Sequence, residues 1–186
     1  MVVTAGSAVS GVPHRLGGAA AGARRLVVID GPSGAGKSTL ADRIVGAWPR
    51  PVTLVRLDEV YPGWRGLDRG AELIATRLII PWNAGRAGRV PGWDWEVGRS
   101  GAVRWVPPKR DLVVEGCGAF AAARGASALR VWVDAPAAAR KRAALARDHG
   151  AFDAFWDLWD EQWRWHAART GASAARADLR IRGLSS

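Results

Sequence analysis

Residues 31–38 read Gly-Pro-Ser-Gly-Ala-Gly-Lys-Ser, and Thr39 follows. The segment satisfies G-x-x-x-x-G-K-[ST], and nothing else in the chain restricts its fold so sharply. The glycines let successive backbone N–H groups converge on phosphate oxygens. A helix opening near Lys37 adds the positive end of its dipole. The context is the required one: the apolar run Leu26-Val27-Val28-Ile29 precedes the loop, and Leu40, Ile44, Val45 and Trp48 recur at helical spacing after it. With this chain's Gly, Lys, Ser and Thr frequencies, roughly 0.003 chance matches are expected. Gly31, Ser33, Gly34, Ala35, Gly36, Lys37, Ser38 and Thr39 are therefore assigned to a triphosphate. Lys37 should reach its β- and γ-phosphates, and the Ser38 hydroxyl should ligate Mg²⁺.

Further apolar runs end in polar residues: 52–57 at Asp58, 112–114 at Glu115, 129–133 at Asp134, and 177–182 as a candidate fifth. Solid apolar runs bounded by turn signals suit strands buried on both faces of a parallel sheet. Between them, Leu73, Ile74 and Leu78 keep helical spacing, and Pro81 should end or kink that helix. Pro136 suits the first turn of a helix over 137–148. Phe152, Phe155, Trp156, Trp159 and Trp163 mark one face of another. Strands alternating with helices predict an α/β sandwich with a doubly wound sheet.

The chain has 186 residues, enough for one domain. Residues 1–24 read as a flexible, loosely docked leader before a domain over 25–186. Within the leader no Lys or Arg precedes the weak apolar part, which argues against a secretory signal. No run is long enough for a membrane span. One cysteine, Cys117, excludes an internal disulfide and fits a cytoplasmic location. The net charge of +10 comes from 27 basic residues, of which 24 are Arg, against 17 acids. The basic residues are spread out, without a dense run. Arginines around a polyphosphate, on a biased composition, account for them better than a nucleic-acid footprint does.

In open α/β sheets, ligands bind beyond the carboxyl ends of the strands. Asp58 and Glu115 both stand at such ends. Phosphoryl transfer needs one carboxylate to accept the acceptor hydroxyl's proton and another to hold Mg²⁺. Asp58 suits the first role and Glu115 the second. Asp111 starts its strand and should lie at the opposite edge. Asp134 either joins the site or caps the helix after it.

Together these positions resemble the uridine kinase-like group of P-loop nucleoside kinases, over about Arg25 to Gly183. Val28 to Thr39 resembles that family's opening strand and loop. Leu57-Asp58-Glu59-Val60-Tyr61 resembles its Asp-x-Phe-Tyr segment, whose Asp is the base. Pro91-Gly92-Trp93-Asp94-Trp95 resembles its Pro-x-Tyr-Asp-Phe segment, whose Asp holds the acceptor's ribose hydroxyls. Asp111 to Gly116 resembles its Asp-hydrophobic-Glu-Gly strand. Val133-Asp134 with Arg140, Arg147 and Asp148 is similar to its lid helix, and Ala177-Asp178-Leu179 to its closing strand. The resemblance implies a P-loop NTPase three-layer sandwich: a five-stranded parallel sheet, helices on both faces, a small lid and an acceptor-side hairpin. The departures cluster at the acceptor. Val60 replaces Phe, Trp93 and Trp95 replace Tyr and Phe, Arg99 falls one place nearer Asp94, and the lid lacks a longer arginine-rich stretch.

Eleven tryptophans is a high share. Trp156, Trp159 and Trp163 keep helical spacing and read as core. Trp93 and Trp95 are two apart in a hairpin strand, so they share a face and Asp94 takes the other. Either the indoles offer stacking area to a planar acceptor, or Asp94 faces the site with the indoles behind it; the resemblance implies the second. Tyr61, Trp64 and Arg99 are further acceptor candidates, and Trp64 serves equally well as a loop anchor. Arg140 and Arg147, seven apart, share a helix face that can neutralise the transferred phosphoryl group. His149 and His166 have no metal-binding partner spacing.

The expected activity is ATP- and Mg²⁺-dependent transfer of the γ-phosphoryl group to a hydroxyl of a small molecule, a nucleoside such as uridine or cytidine. The alternatives are a nucleoside monophosphate kinase, with Arg65, Arg89 or Arg99 on the acceptor phosphate, and a kinase of a sugar, vitamin or antibiotic. A nucleotide-regulated nucleic-acid-binding module is the rival of another class.

Overall fold

A computed structural model describes residues 2–3, 24–147 and 150–183. Of the expected leader, Val2–Val3 forms a two-residue strand, β1; apart from Arg24, the rest of it lies outside the described residues, as do Asp148 and His149. The remaining elements follow in order: β2 (Leu26–Asp30), α1 (Lys37–Gly46), β3 (Val52–Arg56), α2 (Leu67–Ile74), α3 (Ile80–Asn83), β4 (Gly88–Asp94), β5 (Arg99–Val106), β6 (Asp111–Glu115), α4 (Ala119–Ala122), β7 (Leu129–Asp134), α5 (Ala137–Arg147), α6 (Trp156–Thr170) and β8 (Leu179–Arg182).

The sheet runs β1-β8-β7-β2-β6-β3, all parallel. The five expected strands are present, and β1 adds a sixth at the edge. Strands β2 and β6 are buried along their whole length, which explains their unbroken apolar runs. Their side chains alternate between two cores. Leu26, Val28, Leu112 and Val114 face α2, α4 and α6. Val27, Ile29 and Val113 face Leu40, Ala41 and Ile44 of α1.

After β2 the chain crosses to β3 on one side, and after β6 it crosses to β7 on the other. The segments leaving the carboxyl ends of β2 and β6 therefore diverge and open a crevice there. Asp111, at the amino end of β6, is buried far from that crevice. It bridges Arg50 at 2.5 Å and accepts from the Trp48 indole at 2.9 Å.

Pro81 interrupts its helix without ending it. The turn before it, Ala75–Ile79, widens to a π-helix, and α3 continues to Asn83. A proline has no N–H for the i→i−4 ladder, and a wide turn absorbs the break. Hairpin β4–β5 stands outside the main sheet and reaches it through Arg104, which donates to the Leu54 carbonyl at 3.3 Å and to Glu59 at 3.1 Å. Among the described residues, no helix is long and apolar enough to cross a membrane.

Candidate functional site

The phosphate loop joins β2 to α1. Gly31 and Gly34 hold φ of 143° and 75°, and at each a Cβ would lie 2.0 Å from a backbone carbonyl oxygen, of Val133 and Arg140 respectively. Only glycine lets the loop turn there and lie against β7 and α5. Helix α1 opens at Lys37 with no side-chain cap on its first N–H groups. These are the donors an anion would take.

The base of the loop hangs on Asp30, fully buried at the end of β2. Its carboxylate accepts from the backbone N–H groups of Gly31 (2.7 Å), Phe120 (2.8 Å) and Gly118 (3.1 Å). Burial pushes the Asp30 carboxyl above its ordinary range, while those donors and Lys37 pull it back. The sequence placed Asp30 only within a motif; its anchoring of two loops depends on β6 lying beside β2.

Lys37 and Ser38 face Glu115 from the first turn of α1. Ser38 Oγ donates to Glu115 Oε1 at 2.9 Å, and Lys37 Nζ donates to the Pro32 carbonyl at 2.8 Å. Glu115 is 2% exposed. Burial, and then the charge of Asp58, raise its carboxyl to about 7 against the opposing pull of Lys37, Ser38 and Arg56. For Lys37, burial works to lower the pKa, but Cys117, Glu115, Asp58 and Asp30 outweigh it and leave the ammonium above its ordinary value. Among the described residues, no cluster of three His, Cys, Asp or Glu could hold a metal. One hydroxyl beside one carboxylate suits Mg²⁺, which keeps several waters and takes other oxygens from a phosphate.

Two cavities meet in the crevice. One, about 260 Å³, lies over the loop and is lined by Gly34, Gly36, Lys37, Ser38, Thr39 and Glu115. The other, about 850 Å³, is walled by Tyr61, Trp64, Trp93, Trp95, Phe152 and Trp159. Four residues line both: Ser33, Ser38, Asp58 and Arg147. Asp58 sits in the 3-10 turn Leu57–Glu59 that ends β3. Its carboxylate lies 3.9 Å from Arg147 Nη1, and its backbone carbonyl accepts from the Trp95 indole at 2.8 Å.

Not every expected residue arrives at the site. Gly31 and Ala35 lie in the loop's buried wall rather than on its cavity. Tyr61 lines the aromatic cavity while its hydroxyl donates to the Cys117 carbonyl at 2.8 Å. Trp64 does both things considered for it: it lines the cavity and stacks on Phe155, centroids 4.5 Å apart and planes 8° apart.

Asp94 is a correction. It lines neither cavity, because its Oδ1 closes the hairpin turn by accepting from the N–H groups of Glu96 (3.1 Å) and Val97 (3.3 Å). Trp93 and Trp95 hold the cavity instead. Arg99 is corrected with it, since it is exposed beyond the turn and lines neither cavity. Arg140 is the third correction. It is 6% exposed, and its guanidinium donates to the Ser33 carbonyl at 3.1 Å and meets Asp160 at 3.5 Å. Residues seven apart share a face but stand two turns, about 10 Å, apart along the helix, and only Arg147 reaches the cavities.

Three contributors went unread in the sequence. Trp159 keeps core spacing yet lines the aromatic cavity, and Phe152 joins it there from the segment before α6. Arg56, the last residue of β3, lines the same cavity and lies 3.6 Å from Glu115. Asp134 lines neither cavity; its carboxylate accepts from the N–H of Ala135 at 2.8 Å, ahead of α5, so the structure shows neither role considered for it. His166 is a core residue paired with Asp68.

Neither a protein family nor a curated protein matches the sequence. Among solved structures, the chain matches a possible uridine kinase from Bacillus stearothermophilus with a TM-score of 0.62 and 17% identity, over 93% of this chain and 96% of that one. It also matches an uncharacterized protein from Eubacterium ventriosum with a TM-score of 0.46 and 11% identity, over 86% and 88%. The first likeness shows the fold alone: an α/β sandwich in which helices flank a parallel sheet.

Proposed function

We propose that the chain is an ATP- and Mg²⁺-dependent kinase that transfers the γ-phosphoryl group to a hydroxyl of a small acceptor with a planar ring, a nucleoside or a related molecule. The observation that carries this reading is the place of Asp58, a carboxylate on the shared boundary of a phosphate cavity and an aromatic one. The resemblance to uridine kinase-like enzymes and the likeness to a possible uridine kinase support the same reading.

Backbone N–H groups of 34–39 and Lys37 hold the triphosphate, the lysine moving from the Pro32 carbonyl to a phosphate oxygen. Ser38 and Glu115 are the residues that would hold Mg²⁺, which when bound offsets charge on the phosphate oxygens. The indoles of Trp93 and Trp95 hold the acceptor ring and exclude water. Asp58 accepts the proton from the acceptor hydroxyl as that oxygen attacks the γ-phosphorus and the bond to the β-phosphate oxygen breaks. Arg147, at the rim of both cavities, offsets the charge on the moving group.

An acceptor that already carries a phosphate is the second reading. Arg56 and Arg147 line the acceptor cavity and favour it, whereas Arg65, Arg89 and Arg99 do not line that cavity. The test is a screen of nucleosides, nucleotides, sugars and vitamins for ATP consumption, with mass detection of the product. The proposal expects one acceptor to gain a single phosphoryl group. ATP consumed equally with and without every acceptor would overturn it.

A further inference from the structure

The buried Arg140 has work that a phosphate-contacting lid residue would not do. Its Nη1 donates to the Ser33 carbonyl, inside the phosphate loop, at 3.1 Å. A trans peptide points its C=O and the next N–H in opposite directions. Holding the Ser33 carbonyl toward α5 therefore turns the Gly34 N–H the other way, and Gly34 lines the phosphate cavity. The approach is close: at Gly34 any Cβ would meet the Arg140 carbonyl at 2.0 Å.

Arg140 is itself held from the far side. Asp160, 8% exposed on α6, lies 3.5 Å from Nη1, and the guanidinium sits 5.9 Å from the Trp163 ring. Asp160 is fixed in turn by Arg164 at 2.5 Å. A charged pair this well buried is not explained by stability, because desolvation offsets most of its attraction. What the pair supplies is position. Asp160 also follows Trp159, which walls the aromatic cavity, so the loop and the acceptor wall share one strut.

We propose that Arg140, fixed by Asp160, is a positioning residue that presets the Gly34 amide for a nucleotide phosphate and ties the phosphate loop to the acceptor wall on α6. The inference rests on the kinase reading above. It assigns Arg140 to nucleotide affinity rather than to the chemical step.

The test is calorimetric binding of Mg²⁺ with a non-hydrolysable ATP analogue to the full chain, alongside steady-state kinetics. Binding to the unaltered protein is the control for the reading itself: if that protein does not bind the analogue, the kinase reading fails before this one is reached. Given binding, Arg140→Met and Asp160→Asn should each raise Kd roughly tenfold, and the double variant should be no worse than the poorer single. The KM for ATP should rise while kcat stays within about threefold, because no contact unique to the transition state is removed. Asp111→Asn breaks a buried pair at the opposite end of the sheet and should lower Tm without moving Kd, which separates positioning from general loss of stability. Arg140→Lys keeps the charge but not the fork, and should fall between the two states. It carries the test if Arg140→Met fails to fold. Folded Asp160→Asn and Arg140→Lys with unchanged Kd would overturn the proposal, and so would a fall in kcat with KM unchanged.

Discussion

The cavity over the phosphate loop takes half of its lining residues from one short stretch of chain, Ser33 to Thr39, which offers backbone donors. The aromatic cavity beside it draws its walls from segments as far apart as Tyr61 and Trp159 and offers side chains. A backbone cradle suits what every nucleoside triphosphate shares, its phosphate oxygens. An assembled wall of indoles and phenyl rings offers a shaped apolar surface, and its segments pack on one another through Trp64, which touches Trp95, Phe152 and Trp159. On the proposed reading the two regions would divide the labour between a common phosphate donor and a particular acceptor, and Asp58 lines both.

Substitutions on either side of that boundary should separate the regions. The largest effect belongs to the boundary itself: Asp58→Asn should lower kcat by roughly 10²- to 10⁴-fold while the Kd for Mg²⁺ with ATP stays put. A variant turning over normally would remove Asp58 as the base. On the phosphate side, Lys37→Ala should weaken ATP binding by roughly tenfold to a hundredfold, measured by calorimetry, since a charge-assisted contact is lost.

That side also carries a pH signature. The carboxyl of Glu115 titrates near 7 in the folded chain and near 4.5 when unfolded. Between those values the folded state binds the additional proton. Without Mg²⁺ and nucleotide, stability should therefore fall as pH rises from 4.5 toward 7 and level off above, by at most roughly 3 kcal/mol. Thermal unfolding across that range should show the decline, and Glu115→Gln should make it shallower, leaving the part that the raised Asp30 carboxyl contributes. A slope unchanged in that variant would assign the decline to another group.

On the aromatic side, Trp93→Ala should raise the acceptor KM by about two- to tenfold with ATP affinity unchanged. Smallest of all, Arg99→Ala should change both by less than about twofold, as for an exposed side chain away from either cavity. A large acceptor effect there would restore Arg99 to the site.

The same contrast governs what could be read from the chain. The phosphate loop is legible because its glycines, lysine and hydroxyl stand at fixed local spacing. The strands are legible because burial on both faces leaves solid apolar runs, and Asp58 and Glu115 follow from standing at their ends. Alternation correctly put Trp93 opposite Asp94 but could not say which faced the cavity. A turn whose N–H groups captured the Asp94 carboxylate decided that. Arg140 and Arg147 show the limit again. Sequence spacing placed both on one face of α5, but Asp160, distant in sequence, drew Arg140 into the interior. Trp159 left no signal, because an indole that packs the core and one that walls a cavity keep the same helical period.

The most direct measurement is a crystal structure with Mg²⁺ and a non-hydrolysable ATP analogue. The account predicts β- and γ-phosphate oxygens within hydrogen-bond distance of the backbone N–H groups of 34–39, with the γ-phosphorus facing the Asp58 carboxylate across the mouth of the aromatic cavity. Phosphates bound elsewhere, or an Asp58 carboxylate turned away from the γ-phosphate, would contradict it.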